Sequence, residues 1–184
     1  KAFMMRKILF LTLLTTLIIS FQGCAQKPQV SNKDFSNFDK IDSKLIPKDS
    51  KYKLLFFGYA GCYHFCDPRL RQIDPIFTAL KKELDISMLF IDISDGQHLK
   101  ASQEFVKAVN PEFEAIDPDD EQTKVLQQKI KDLYVRKLPD GEYLHSGFLY
   151  LLQEHEERYY LIKLYPEFIN AKAVIENIKK IVKH

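Results

Sequence analysis

Leu55-Phe-Phe-Gly-Tyr-Ala-Gly-Cys-Tyr-His-Phe-Cys-Asp-Pro68 is the segment from which the expected architecture follows. An apolar run typical of a buried strand ends in small residues, and a long amphipathic helical pattern follows. Cys62 and Cys66 lie at this junction, four positions apart. Residues at i and i+4 face the same side of a helical turn, so the two sulfurs can converge on one metal ion or join as a disulfide. A helix N-terminus also favours the thiolate, which binds metals and attacks disulfides.

Strand-like and helical patterns alternate around this segment. Apolar runs predict buried strands over residues 53–59 and 86–93, and apolar residues at three- and four-residue spacing predict a helix over 67–84. The remaining patterns predict helices at 98–109, about 121–133 and 171–182, short strands at 113–116 and 134–138, and a hairpin at 147–153 and 158–165 around a charged tip. A β-α-β half followed by a β-β-α half predicts an α/β, thioredoxin-like fold with a central mixed β-sheet flanked by helices. The cysteines would then lie at the functional edge of the sheet.

The third cysteine, Cys24, ends an N-terminal pattern typical of a secretory signal. Arg6 and Lys7 are basic, residues 8–20 are apolar and uncharged, and a glycine directly precedes the cysteine. The apolar run is too short for a comfortable membrane span. This layout resembles a bacterial lipoprotein signal, so we predict a signal peptide over residues 1–23 and lipidation of Cys24. The protein would then lie in the bacterial cell envelope, lipid-anchored and facing the periplasm. An uncleaved anchor and an ordinary signal peptide are the alternatives.

The region after the signal is polar and then becomes a domain. Residues 24–51 are short of large aliphatic side chains, which is typical of a flexible tether, and we expect the domain over residues 52–184. The formal net charge is +2, but basic residues without acids in the signal account for it. With no basic stripe, and with aromatic residues inside apolar runs, we expect no nucleic-acid binding. Export places the domain in an oxidising compartment, where a free thiol pair requires a chemical reason.

From about Leu54 to Ile181 the chain resembles the Sco/SenC family of copper-binding thioredoxin-fold proteins. Gly58-Tyr-Ala-Gly-Cys-Tyr-His-Phe-Cys-Asp-Pro68 resembles the family's Gly-Phe-Thr-x-Cys-x-x-x-Cys-Pro segment. Phe90-Ile-Asp-Ile-Ser-Asp95 resembles a family strand that ends in an aspartate-rich turn. His145-Ser-Gly-Phe-Leu-Tyr-Leu-Leu152 resembles the His-Ser-x-Phe-x-Tyr-Leu stretch that supplies the family's histidine ligand. The first and third segments, found together in this order, are specific for the family, whereas either segment alone would be a weak signal.

The resemblance implies a copper site formed by Cys62, Cys66 and His145. Two thiolates and one imidazole are soft donors suited to Cu(I), and nitrogen and sulfur ligands also tolerate Cu(II). Three ligands leave the metal under-coordinated, which suits a carrier, whereas a closed zinc site takes four protein ligands. A structural disulfide is the alternative for the cysteines, although it would close a short loop and stabilise little. An ordinary strand-edge histidine is the alternative for His145.

Other polar residues near these motifs are weaker candidates. His64, inside the cysteine loop, is a candidate transient ligand. Asp92 and Asp95 either lie near the metal, where they would orient ligands or dock a partner, or are solvated turn carboxylates. Three positions depart from the family pattern, and one of them is Gly61, where a bulkier polar residue is common. Leu144 stands where the family often has an acid, and Asp67 follows the second cysteine where the family has proline.

Two classes of function follow from these residues. The resemblance implies a non-enzymatic metallochaperone that receives copper from a periplasmic copper donor and delivers it to the copper-site subunit of a respiratory cytochrome oxidase, while a lipid anchor holds it at the membrane. The alternative is a thiol–disulfide oxidoreductase in which Cys62 and Cys66 reduce cysteines of the copper-accepting partner. Thioredoxin-type redox enzymes usually have Cys-x-x-Cys and a proline just before the third core strand. The three-residue spacer and Leu144-His145-Ser146 favour metal binding, and a peroxidase-like thiol enzyme is a weaker third option.

Overall fold

The computed structural model describes residues 40–41, 45–94, 96, 98–130, 132–166 and 170–183. The predicted signal peptide, Cys24 and Asp95 lie outside these residues. Within them, none of the helices has the length and apolar character needed to cross a membrane.

The described residues form a mixed sheet with helices on its faces. In chain order the elements are β1 (Lys40–Ile41), β2 (Tyr52–Gly58), α1 (Cys66–Lys81), β3 (Ile86–Asp92), α2 (Leu99–Lys107), β4 (Glu114–Ile116), α3 (Asp120–Lys129), β5 (Val135–Lys137), β6 (Tyr143–His145), β7 (Leu149–His155), β8 (Arg158–Tyr165) and α4 (Ala171–Val182). The main sheet has the order β1-β8-β7-β2-β3-β4, while β5 and β6 form a separate two-stranded sheet. Strand β2 pairs parallel to β3 and antiparallel to β7. This arrangement confirms the predicted α/β fold.

Strand β2 contributes to two apolar cores on opposite faces of the sheet. Leu54 and Phe56 pack in the core that contains residues of α1 and α4. Leu55 and Phe57 pack in the other core, which contains residues of β3 and α3. All seven positions of β2 are buried, and each large apolar side chain that is buried contributes about 1.5–3 kcal/mol. The cysteine loop therefore begins from a firmly packed strand.

Lys53 is a charged residue inside this buried strand. Its side chain is 1% exposed and forms an ion pair with Asp49, and its ammonium lies 5.7 Å from the centre of the Tyr159 ring. Burial lowers the pKa of Lys53, while the hydrogen bond to Asp49 opposes that change. The start of β2 thus carries a buried charge that requires its partner Asp49.

Several local features differ from the sequence-based expectation, among them strand β6, for which the sequence predicts no strand. Strand β1 lies inside the predicted tether and pairs antiparallel to β8, and the nearby Ile46 is fully buried. The described end of that segment therefore contributes to the core. The charged hairpin tip is also shorter than predicted, because β7 extends to His155, while β8 begins at Arg158 as expected. Only Glu156 and Glu157 form the turn, both with positive φ, at 48° and 65°.

Candidate metal centre

The loop between β2 and α1 holds the two thiols one helical turn apart. The Cys66 N–H donates to the Cys62 carbonyl oxygen at 3.0 Å and lies 3.4 Å from Cys62 Sγ. The Asp67 N–H donates to the same carbonyl at 3.2 Å. Helix α1 thus begins at Cys66, one residue earlier than predicted, with no side-chain cap on Phe65. Backbone and sulfur atoms of Cys62 instead accept N–H groups of the first turn.

His145 reaches the thiols from a different sheet. It ends β6, and its Nε2 lies 3.5 Å from Cys66 Sγ. The donor atoms of Cys62, Cys66 and His145 all lie within 4.8 Å of one another. His145 Nδ1 lies 3.2 Å from the Ser146 carbonyl oxygen, which can only accept, so this pair assigns the proton to Nδ1. Nε2 is then the ring nitrogen that faces the thiols and could bind a metal.

Aromatic rings hold the imidazole in place. The rings of Phe56, Tyr59 and Phe65 lie 6.4, 6.3 and 5.4 Å from the His145 ring, all edge to face. Such pairs contribute about 0.5–1.5 kcal/mol each beyond the area they bury. They orient His145 beside the thiols.

Gly58 makes room for the second thiol. A Cβ at this position would lie 2.7 Å from Cys66 Sγ and 2.8 Å from Phe90 Cε2. Real Cβ atoms do not approach so closely, so the sulfur occupies space that only glycine leaves free. The glycine before the cysteine loop is therefore part of the site.

The two thiols differ in burial and in acidity. Both are free; Cys62 is half-buried and Cys66 is fully buried. The hydrogen bond with the Cys66 thiol, helped by His145, lowers the pKa of Cys62 to about 4. The same hydrogen bond, together with burial and the nearby Cys62 charge, raises the pKa of Cys66. At neutral pH the pair therefore holds one accessible thiolate and one buried thiol that keeps its proton.

A cavity of about 410 Å³ opens over Cys62 and His145. Tyr63 and Leu144 line it and are 70% and 48% exposed, an unusual exposure for large apolar side chains. His64 also lines the cavity. Among the described residues the cluster of donor atoms contains Cys62, Cys66 and His145 and does not include His64. A partner can thus approach two of the three donors from one side.

Asp92 is fully buried rather than solvated. Its carboxylate accepts hydrogen bonds from the Ala60 N–H at 3.0 Å, from the Ser94 N–H and hydroxyl at 2.9 and 2.6 Å, and from the Ser102 hydroxyl at 2.6 Å. These contacts join the cysteine loop to the segment after β3 and to α2. Asp92 therefore organises the loops behind the site, and it is not among the clustered donors.

Sequence reasoning missed two side chains that reach from the cysteine segment toward the histidine. The Tyr59 hydroxyl donates to Glu142, beside β6. The buried guanidinium of Arg69, on α1, donates to the Gly147 carbonyl oxygen at 3.3 Å. An arginine among the inward positions of an amphipathic helix is a signal that could have identified the second contact.

Comparison with known proteins finds matches over most of the chain. The SCO1/SenC family profile matches residues 25–183. An SCO2-like protein of Rickettsia prowazekii is 27% identical over 155 residues, which cover 80% of this chain and 71% of the relative. An SCO2-like protein of Rickettsia conorii is 29% identical over 128 residues, covering 66% of this chain and 59% of the relative.

Solved structures share the fold. Arabidopsis thaliana ScoI with copper bound has a TM-score of 0.64 at 21% identity, covering 73% of this chain and 86% of that one. A SCO1/SenC family lipoprotein from Bacillus anthracis has a TM-score of 0.60 at 17% identity, with 78% and 90% covered. BsSco, described as a Sco-family cytochrome c oxidase assembly protein with a disulfide switch, has a TM-score of 0.58 at 16% identity, with 82% and 96% covered. These likenesses confirm the thioredoxin-like fold.

Proposed function

The chain belongs to the SCO1/SenC family, and from that membership and the donor geometry we propose that it is a copper metallochaperone for a respiratory cytochrome oxidase. The observation that carries the proposal is the convergence of Cys62, Cys66 and His145 within 4.8 Å beside one open cavity. Two sulfurs and one imidazole nitrogen are soft donors for Cu(I) and are also compatible with Cu(II). A solved relative, the Arabidopsis ScoI, has copper bound.

The protonation of the donors fits copper binding. Cys62 is already a thiolate at neutral pH, because its pKa is lowered to about 4, and His145 points Nε2 toward the sulfurs. Cys66, whose pKa is raised, is the donor that must lose a proton when the metal binds. Bound copper would supply the positive charge that drives this loss.

The open side of the site supports transfer between proteins. Cys62 and His145 line the cavity, whereas Cys66 is fully buried. A copper-accepting subunit would bring its own donors through the cavity and replace the accessible ligands first. A periplasmic copper donor would load the site from the same side. The description of BsSco as a cytochrome c oxidase assembly protein supports an oxidase subunit as the acceptor.

We further propose that Cys24 is lipidated and anchors the domain in the bacterial cell envelope. The basic, apolar and Gly-Cys order of the N-terminal sequence supports this, and a solved relative from Bacillus anthracis is described as a lipoprotein. Mass spectrometry of the native N-terminus tests the proposal. A chain in which Cys24 is absent or carries no lipid would contradict it.

Copper loading of the purified, reduced protein tests the metal site. We expect one copper per chain, and we expect Cys62→Ala, Cys66→Ala and His145→Ala each to weaken binding. His155→Ala, at the far end of β7, is the control and should bind normally. Unchanged copper stoichiometry and spectra in Cys62→Ala or Cys66→Ala would contradict the copper proposal.

A thiol–disulfide oxidoreductase is the second candidate, favoured by the asymmetry of the two thiols. The Cys62 thiolate would attack a partner disulfide, forming a mixed disulfide and releasing one partner thiol. Cys66 would then lose its proton and attack Cys62 Sγ, releasing the second thiol and leaving a Cys62–Cys66 disulfide that an external dithiol must reduce. The disulfide switch described for BsSco supports this chemistry.

His145→Ala separates the two candidates. The variant should loosen copper strongly, because the site loses its third donor. Disulfide exchange on a model disulfide should change little, because the main cause of the lowered Cys62 pKa is the hydrogen bond with Cys66. In cells the carrier predicts low oxidase activity, partly rescued by added copper. Normal oxidase assembly in His145→Ala, together with its loss in Cys62→Ala, would instead support the reductase.

A further inference from the structure

The third donor lies on an element that is separate from the one carrying the thiols. The histidine hairpin, β5 and β6 (Val135–Lys137 and Tyr143–His145), is a two-stranded sheet of its own. The cysteines follow β2 of the main sheet. Within the described part of the chain, no strand of the main sheet pairs with this hairpin. The 3.5 Å separation of Cys66 Sγ and His145 Nε2 therefore depends on other contacts across the gap.

Arg69 provides one such contact from the buried side. It lies three residues after Cys66 on α1 and is 4% exposed. Its Nε donates to the Gly147 carbonyl oxygen at 3.3 Å, and its Nη2 donates to the Pro166 carbonyl oxygen at 3.0 Å. A guanidinium is planar and holds its donors in a fixed fork, so it sets the distance between the groups it joins. Gly147 is two residues beyond His145. The hydrogen bond from Arg69 therefore links the helix that carries Cys66 to the backbone directly after His145.

Tyr59 provides a second contact from the solvent side. Its hydroxyl donates to Glu142, the residue directly before β6. Its ring lies edge to face on the His145 ring. Its carbonyl oxygen accepts the Cys62 N–H at 3.2 Å. One residue therefore touches both the cysteine loop and the hairpin. The family segment quoted above has phenylalanine at this place, which would lack the hydroxyl.

We propose that Arg69 and Tyr59 are positioning residues for the third copper donor. Arg69 fixes the backbone that follows His145, and Tyr59 fixes the hairpin that precedes it. Together they hold Nε2 beside the thiols, and without them the chain keeps a two-thiolate site in which the imidazole no longer coordinates. The inference rests on the copper site proposed above and adds the residues that determine its coordination number.

Copper-loaded variants of the whole chain test this inference. The variants are Arg69→Gln and Tyr59→Phe, with His145→Ala as the reference for a lost third donor. Arg71→Gln is the matched control on the same helix, since that guanidinium is exposed and pairs with Asp67. Tyr159→Phe is the tyrosine control, since its hydroxyl donates to the Ser50 carbonyl oxygen near the start of β2 and does not contact the cavity. The readouts are nitrogen coupling in the electron paramagnetic resonance spectrum with Cu(II), and the rate of Cu(I) loss to a chelator.

We expect Arg69→Gln to lose nitrogen coupling and to weaken copper binding about tenfold, as removal of groups that orient ligands does. Tyr59→Phe, which loses the hydrogen bonds of the hydroxyl with Glu142 and with the Cys62 thiol, should accelerate copper loss about threefold. Both controls should match the wild-type protein. If Arg69→Gln does not fold, Tyr59→Phe decides alone, because a wild-type spectrum together with a wild-type rate overturns the inference.

The reference variant separates failure of this inference from failure of the proposed function. If His145→Ala differs from the wild-type protein but Arg69→Gln and Tyr59→Phe do not, the positioning roles are wrong and the copper site stands. If His145→Ala has the wild-type spectrum and rate, the imidazole is not a ligand, and the three-donor site and the positioning roles are overturned together.

Discussion

Replacing Gly58 with alanine tests how closely the cysteine loop packs on the sheet. The added methyl would lie 2.7 Å from Cys66 Sγ and 2.8 Å from a Phe90 ring carbon. Cys66 and Phe90 are fully buried, so neither can move into solvent to relieve the overlap. Overpacking in a close-packed core costs about 1–3 kcal/mol. We expect Gly58→Ala to lower the free energy of unfolding of the reduced, metal-free protein by about 2 kcal/mol.

Urea unfolding followed by circular dichroism measures this loss. With a slope of about 2 kcal/mol per molar urea, the midpoint should fall by about 1 M. In a Cys66→Ala background the same substitution should cost about 1 kcal/mol less, because only the Phe90 contact remains. Gly141→Ala is the control: its φ is +92° and nothing lies within 4 Å of its Cβ. Its cost comes from backbone strain and should be the same in both backgrounds.

Two results would refute the reasoning. The first is a Gly58→Ala protein as stable as the wild type. The second is an equal cost of the substitution with and without the Cys66 sulfur. Either would mean that the loop relaxes away from the sheet without loss and that Gly58 does not define the position of the thiol.

Three further predictions follow from charged groups. Alkylation of Cys62 in the metal-free protein should stay fast as the pH falls from 8 to 5, because its thiolate is lost only near its lowered pKa of about 4; mass spectrometry follows the reaction, and a tenfold drop per pH unit would contradict the assigned acidity. Asp92→Asn should destabilise the protein by about 3 kcal/mol in denaturant unfolding, since the buried carboxylate accepts four hydrogen bonds; a stability equal to wild type would refute this. Lys53→Met should leave the free energy of unfolding unchanged or raise it, whereas Asp49→Ala should lower it by about 1–2 kcal/mol, because a buried ammonium would lose its partner. A lower unfolding midpoint for Lys53→Met than for Asp49→Ala would contradict the pairing.

Strongly periodic segments were predictable from sequence. Helix α4 was predicted over residues 171–182 and is observed at Ala171–Val182, with Asn170 accepting N–H groups of its first turn. Strands β2 and β3 were placed within one residue because their apolar runs are long. Burial of these runs dominates the local energy, so pattern and structure coincide there.

Features that depend on distant contacts were not predictable. The turn between β7 and β8 uses Glu156 and Glu157 with positive φ, and neither is the glycine or asparagine that usually marks such a turn. Strand β1 has two residues and forms only through pairing with β8. Short elements of this kind gain their stability from the tertiary structure.

The candidate site also contains residues that the sequence predicts and residues that it does not. The Cys62 and Cys66 pair is local, so its spacing alone indicated convergence. His145 was identified through family resemblance, since one histidine near a strand has no distinctive pattern. The roles of Gly58, Tyr59 and Arg69 required the distances between elements that only the folded chain provides.

The long separation of His145 from the thiols has a consequence for the lifetime of the protein. The histidine is 79 residues beyond Cys66, so a metal bound by all three donors cross-links a loop of that length. In the unfolded chain, holding the two ends of such a loop together would cost about 4 kcal/mol of chain entropy. Unfolding would therefore separate the imidazole from the metal, while the two thiols, four residues apart, would stay close together. Loaded protein would therefore resist heat and proteases better than empty protein, and the amount that persists in the cell would rise and fall with the copper supply.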